Sequence, residues 1–414
     1  MANIRPFGAY RPVPGMESRI AALPYDVYNR EEAVEVVSKN PDSFLAIDRA
    51  ETGFGPEVDT YDPKVYERAD NLLKERIAAG HFVKDSVPCF YLYEQTFEGR
   101  SQTGIVACAS IDDYCNHIIK KHENTRSDKE QDRIRHVDVC NMQTGPIFLA
   151  YRGNDALREI MVRAKEGKPV YDFVSEDGVG HRVWVIDNNE IVSEVQESFQ
   201  KIPAIYIADG HHRCASAVKV GLMRREAHPD YTGEEEFNFF LSVLFPDEEL
   251  RIMDYNRVVR DLNGLSPTEF LDKIGENFQV EKKGKEPWKS ERKGTFGMYL
   301  GDEWYELTAR GKILSDDPVD GLDVSLLQRF LLEPVLGIKD PKTDKRIDFV
   351  GGIRGLKELE RRVHTDMKVA FSMYPTSIGE LFAVADAGML MPPKSTWFEP
   401  KLRSGLFLHD LELR

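Results

Sequence analysis

Ile202-Pro203-Ala204-Ile205-Tyr206-Ile207-Ala208-Asp209-Gly210-His211-His212-Arg213-Cys214-Ala215-Ser216-Ala217-Val218 passes from an apolar run suited to a buried strand into an alanine-rich run suited to a helix. Asp209 and Gly210 stand at the junction, so the turn is tight. Asp209 is read as the helix cap, and Gly210 as the residue that permits a positive φ or a close backbone approach. The first free N–H groups of such a helix point into the turn, and together with the helix dipole they favour a bound phosphate. His211, His212 and Arg213 add side-chain donors at the same place, and the planar fork of Arg213 is able to hold two phosphate oxygens at once.

Working outward, Asn29 reads as the N-cap of a helix with Glu31 and Glu32 in its first turn. The apolar run Phe44 to Ile47 reads as a strand, and Tyr61 to Ala79 as an amphipathic helix stopped by Gly80. Strands are expected at Cys89–Phe97, Gln102–Ile111, Pro146–Tyr151 and Val183–Ile186, with a helix over Asp155–Glu166. The charged stretch His117–Met142 alternates in sign from Lys120 to Asp138, and such a run is usually a solvated helix face. Beyond Pro246 the pattern restarts with a strand at Ile252–Val259, helices at Pro267–Phe278, Val324–Val335 and Leu356–Thr365, and a hairpin around Gly301-Asp302. Two domains are therefore expected, 1–245 and 246–414, with the final loop from Pro392 to Gly405 returning to the site. The fold class is mixed α/β.

The chain has 414 residues, 41% of them hydrophobic and 30% charged, with a formal net charge of −15. Duplex nucleic acid calls for a field of Lys and Arg, so it is a poor partner for this chain. No apolar run reaches the roughly 18 to 20 residues of a membrane span, and Met1–Tyr10 lacks the pattern of a signal peptide. The five cysteines (Cys89, Cys108, Cys115, Cys140 and Cys214) are scattered and form no C-x-x-C pair. A reducing cytoplasm is the expected location. His122-Glu123 lacks a second histidine four residues on, and the adjacent His211 and His212 diverge by about 100° on a helix, so a zinc site is not indicated. A magnesium ion carried in with a nucleotide needs only one or two carboxylates.

Residues Ile205 to Ala217 resemble the strand and Gly-x-Arg-Arg helix of the ParB and sulfiredoxin superfamily. Four further blocks are similar to those of the family called "domain of unknown function 1015": Pro6-Phe7 with Leu23-Pro24-Tyr25-Asp26-Val27; His122-Glu123-Asn124-Thr125; Gly145-Pro146-Ile147-Phe148; and Met391 to Lys401. The resemblance implies a nucleotide-binding core with added N-terminal and C-terminal mixed elements, and ATP or ADP, or another nucleotide, with magnesium, as cofactors. Superfamily members include nucleotide-operated DNA clamps, a sulfinic acid repair enzyme and free-serine kinases. The repair enzyme's reactive cysteine is replaced here by His211, and Cys214 reads as a small buried residue. The clamps' helix-turn-helix has no counterpart after residue 246.

The expectation that follows is a nucleotide-dependent phosphotransferase acting on a small polar metabolite, serine or another alcohol, with a non-catalytic nucleotide sensor or a ParB-like regulator as the alternative. Gly210, His211, His212 and Arg213, beside Asp209, would hold the phosphate. Glu123, next to His122, would be the base, and Asp26 is the rival. Lys394, Ser395, Thr396 and Lys401 would close over the site, or else form a structural loop; Tyr25 and Asp132 read as packing or pairing residues.

Overall fold

The structure, a computed structural model, describes residues 1–125 and 127–412. The chain is a mixed α/β protein that divides into two compact units, Met1–Leu250 with Pro400–Arg414, and Arg251–Glu399. The sequence division placed everything after residue 245 in the second domain. In the structure the last segment belongs to the first unit.

The first unit is built on a sheet of nine strands, β1 (Ile4–Arg5), β2 (Phe90–Phe97), β3 (Arg100–Ser110), β4 (Ile119–Lys120), β5 (Ile147–Tyr151), β6 (Tyr171–Val174), β7 (Gly180–Ile186), β8 (Ile205–Asp209) and β9 (Phe239–Pro246). Their order is β4-β8-β5-β9-β3-β2-β7-β6, with β1 on β3. The pairs β4–β8 and β5–β9 are parallel and the others antiparallel. The central strands β5 and β9 are buried along their whole length, which is why they read as continuous apolar runs.

Seven helices of this unit matter for the site or its support: α1 (Arg30–Lys39), α2 (Leu45–Asp48), α3 (Pro63–Ala78), α4 (Ser127–Cys140), α5 (Asp155–Ala164), α6 (Asn189–Phe199) and α7 (His211–Ala227). Asn29 caps α1 by accepting from the Glu32 N–H, and Glu32 returns a bond to the Asn29 N–H. Leu157, Ile160 and Met161 of α5 and Val195 and Phe199 of α6 join one core with Ile105, Leu149, Ile207 and Leu244 of the sheet. A second cluster packs Phe44, Leu45 and Ile47 against Val65, Ala69 and Leu73 of α3.

The expected strand at Phe44–Ile47 is therefore a correction: this run is the buried helix α2. A four-residue apolar run has no period, and contacts with α3 decide its form. The charged stretch is corrected too. Most of it is α4, and Asp132, Arg133 and His136 are buried on the face turned inward rather than solvated.

The second unit carries a six-stranded antiparallel sheet in the order Phe278–Gly284, Glu303–Ala309, Thr295–Leu300, Val369–Ser372, Tyr255–Val259 and Ile347–Gly351. The strand expected over Ile252–Val259 is interrupted at Asp254, which accepts from Asn256 and Lys289. The helix expected to reach Phe278 ends at Gly275, and Phe278 opens a strand. The helix expected over Val324–Val335 is the short helix Asp323–Leu327 followed by a π-helical turn, Gln328–Leu332.

Candidate functional site

Gly210 has φ 89° and ψ 33°, the left-handed conformation that turns β8 into α7 without the clash a Cβ would introduce. Gly210 is the N-cap of α7, and no side chain caps the helix, so the expectation that Asp209 caps it is corrected. A register shift between Ile207 and Asp209 in the β8–β5 pairing marks the strand end. The Asp209 carboxylate instead lies 3.6 Å from Arg213 Nη2 and 3.5 Å from Lys401 Nζ. Burial pushes its pKa up, but Lys401, Arg213 and His211 outweigh this and hold it down at about 2.

The Arg213 guanidinium lies against the turn: a Cβ on Gly210 would stand 3.0 Å from its Nη2. Its Nη1 donates to the Pro146 carbonyl at 2.7 Å. A Cβ on Gly145 would meet Ser404 Oγ at 2.9 Å, with Arg213 Nη1 at an ordinary contact distance of 3.6 Å. One edge of the fork is thus already engaged by protein groups. The first-turn N–H groups of α7 have no intrahelical acceptors.

His211 is buried at the start of α7, and His122 is buried beside it with ring centroids 4.5 Å apart in an edge-to-face arrangement. The His122 N–H points to His211 Nε2 at 3.5 Å, so the imidazole proton belongs on Nδ1, which faces Glu123 Oε2 at 3.9 Å. Burial pushes the His211 pKa down to about 4, against the pull of Asp209. Burial and then His211 push His122 down to about 3, against Glu123. Both rings are neutral near pH 7, and neither nitrogen of the His122 ring makes a well-formed hydrogen bond among the described residues. His212 is half-buried on the first turn. Cys214 is fully buried and burial pushes its thiol far up, as its reading as a small core residue requires.

The structure brings Asp209, Gly210, His211, Arg213, Lys401, Glu123 and His122 together around one helix start. Asp26 is exposed and lines a cavity of about 160 Å³ with Tyr25, Asp132 and Arg133. Lys394, Ser395 and Thr396 belong to the second unit. Lys394 has φ 61°, its Nζ is 5.6 Å from the Tyr255 ring, and its carbonyl accepts from Arg257. Ser395 Oγ donates to the Pro392 carbonyl at 2.6 Å and its own carbonyl accepts from Thr376.

Sequence reasoning missed Arg133, His136 and Asp48. Arg133 is buried, donates from Nε to Asp132 Oδ2 at 2.9 Å, and lies 4.0 Å over the Tyr25 ring. Asp132 also accepts from Tyr66 at 2.9 Å. Arg133 and Arg213 both line a smaller gap of about 30 Å³ together with Tyr25, Asp48, His136 and Thr144. The alternation of charge in α4 was the available signal, since three charged or titratable residues spaced 132, 133 and 136 share one helix face.

Among the described residues no cluster of three or more His, Cys, Asp or Glu could hold a metal ion. No described helix is long and apolar enough to cross a membrane.

The chain belongs to the family described as "Protein of unknown function (DUF1015)", whose model matches residues 4–325. No curated protein matches it. Similar solved structures include a free serine kinase in complex with AMP, 14% identical, with 71% of this chain and 86% of that chain covered and a TM-score of 0.35. A conserved hypothetical protein from Pyrococcus furiosus is 14% identical, over 72% and 92%, with a TM-score of 0.34. SbnI with a C-terminal truncation, from Staphylococcus aureus, is 11% identical, over 72% and 84%, with a TM-score of 0.37. Likeness at this level speaks neither to activity nor to substrate.

Proposed function

We propose that the chain is a nucleotide-dependent phosphotransferase acting on a small polar metabolite, built on a ParB- and sulfiredoxin-like core. The observation that carries this reading is the start of α7: a left-handed glycine turn with no side-chain cap, whose first-turn N–H groups share one place with two cations, Arg213 and Lys401, and with the Glu123–His211 pair. Backbone donors and cations fixed in advance are what phosphoryl transfer needs, because its transition state spreads negative charge over the phosphate oxygens.

In this mechanism the terminal phosphate of ATP or ADP rests on the N–H groups of His211 to Arg213. His212 lies on that turn as a further donor, while Arg213 and Lys401 neutralise the charge that develops. Glu123 accepts the proton of the attacking hydroxyl, whose oxygen bonds to the terminal phosphorus as the phosphoanhydride bond breaks and the shortened nucleotide leaves; neutral His211, its Nδ1–H facing Glu123, orients the carboxylate. The alternative role for Glu123, in place of the base, is to hold a nucleotide-borne magnesium ion, which would supply further charge neutralisation.

The test is consumption of ATP, ADP, CTP or pyrophosphate by the purified protein, with and without small hydroxy acids and alcohols, L-serine among them. Turnover that depends on an acceptor is the expected result. Binding of nucleotide without acceptor-dependent turnover would replace this reading with a sensor.

A further inference from the structure

We propose that the 160 Å³ cavity of the first unit is a binding site for a small aliphatic ammonium ion, with Asp48 as the carboxylate that receives it. The site stands apart from the start of α7 and does not depend on the phosphotransferase reading. Asp48 ends α2 and is 4% exposed. Its Oδ1 accepts from Thr144 Oγ1 at 2.8 Å and lies 4.0 Å from His136 Nε2. Neither neighbour is charged, because burial and then Arg133 push the His136 pKa down. Among the described residues no Lys or Arg forms an ion pair with Asp48. A buried carboxylate is costly unless a cation pairs with it. Asp48 lines the cavity, so a ligand can supply that cation.

The other charges of the lining cancel. Asp132 takes Nε and Nη2 of Arg133 at 2.9 and 2.8 Å. Glu51 holds Arg49 at 2.5 Å. Asp26 and Lys129 add one charge of each sign. The charge left over is that of Asp48, so the cavity attracts a cation and repels an anion.

Size and surface agree with an organic cation. A cavity of roughly 150 Å³ holds a molecule of about six heavy atoms, so this one admits a compact amine and excludes a nucleotide, which is several times larger. Four tyrosines line it, Tyr25, Tyr28, Tyr61 and Tyr66. Phenol faces attract an ammonium group, and the rings also pack against its alkyl chain. The Tyr25 ring already takes a cation within the protein, with the Arg133 guanidinium 4.0 Å over it. The Tyr66 hydroxyl donates to Asp132 at 2.9 Å, which holds that ring in place before a ligand arrives. Asp26 and Tyr61 are exposed, so the cavity opens to solvent on their side. A metal ion is the poorer fit, since among the described residues no three His, Cys, Asp or Glu could hold one.

The experiment is calorimetric titration of the full chain at pH 7.5 with n-butylammonium, 1-butanol and butyrate, which share one alkyl chain length and differ in charge. The ammonium is expected to bind at least tenfold more tightly than either of the others. Asp48→Asn keeps an acceptor for Thr144 and removes the charge. It should weaken n-butylammonium binding at least tenfold without lowering the urea midpoint, because the charge it removes has no cation partner in the fold. Tyr61→Ala changes an exposed residue of the lining, should fold like the parent, and should weaken the same binding two- to fivefold. If Asp48→Asn does not fold, Tyr61→Ala decides. Equal binding of the three probes, no binding of n-butylammonium, or tighter binding of butyrate overturns the assignment. So does a folded Asp48→Asn or Tyr61→Ala variant that binds n-butylammonium like the parent.

Discussion

On the proposed reading, a bound phosphate would compete with Asp209 for Arg213 and Lys401, and Asp209→Asn separates the effects of that competition. In the folded chain the carboxylate lies 3.6 Å from Arg213 and 3.5 Å from Lys401, and its pKa falls from 3.8 to about 2. The shift corresponds to roughly 2.4 kcal/mol, which the side chain's 35% exposure reduces to about 1 to 2 kcal/mol of stability near pH 7. Because the folded pKa is depressed, this contribution is fully present above the unfolded pKa and is lost as pH falls from about 4 toward 2. The Asn variant should therefore unfold more easily at pH 7 and match the parent near pH 2. Its affinity for anions should change in the opposite direction. A phosphate charge about 5 Å from the carboxylate is repelled by about 1 to 3 kcal/mol at the effective dielectrics of such sites. Removing that repulsion tightens ADP or pyrophosphate binding about five- to a hundredfold. Titration calorimetry at low salt measures the binding, and urea unfolding the stability. An Asn variant that loses stability yet binds ADP no more tightly than the parent refutes the shared use of Arg213 and Lys401.

Glu123→Gln should leave ADP binding within about twofold of the parent and slow acceptor-dependent turnover by about 10² to 10⁴, the usual range for a general base; equal turnover removes Glu123 from the chemistry. His122 and His211, with folded pKa values of about 3 and 4, stay neutral while the unfolded chain's histidines take up protons below about 6.5. Stability should thus fall as pH drops from about 6.5 toward 4, by up to about 1.4 kcal/mol per pH unit for each histidine. Urea unfolding at pH 7.5 and 5.0 checks this, and His122→Phe should flatten the dependence. Gly210→Ala should cost about 1 to 2 kcal/mol for a left-handed Cβ and displace the Arg213 guanidinium, lowering both Tm and ADP affinity. Unchanged melting and binding in that variant would mean that the turn tolerates a side chain and is not shaped for close approach.

The strand, turn and helix around Gly210 were legible because the change of hydrophobic period falls on a single glycine, and local backbone physics decides both sides of it. The capping residue was not. Asp209 has the composition of a cap, but two cations, Arg213 one turn along and Lys401 at the far end of the chain, draw its carboxylate away. The same limit hid Arg133. Charged residues are read as solvated unless paired, and its partners Asp132 and Tyr25 make burial tolerable through one neighbour in sequence and one that lies far upstream.

The final loop shows the converse. Lys394, Ser395, Thr396 and Lys401 form a single block in the sequence, yet the boundary at Pro400 sends the first three into the second unit and Lys401 to Asp209. Proximity along the chain therefore grouped residues that packing divides. What unites the candidate site is charge balance. Asp209 pairs with Arg213 and Lys401, Asp132 pairs with Arg133, and both arginines border the smaller gap, so each arginine is held in position by a carboxylate. On the proposed reading the carboxylates would orient the cations for ligands, and anion affinity at the start of α7 would be set by how strongly Asp209 competes rather than by how many donors the turn provides.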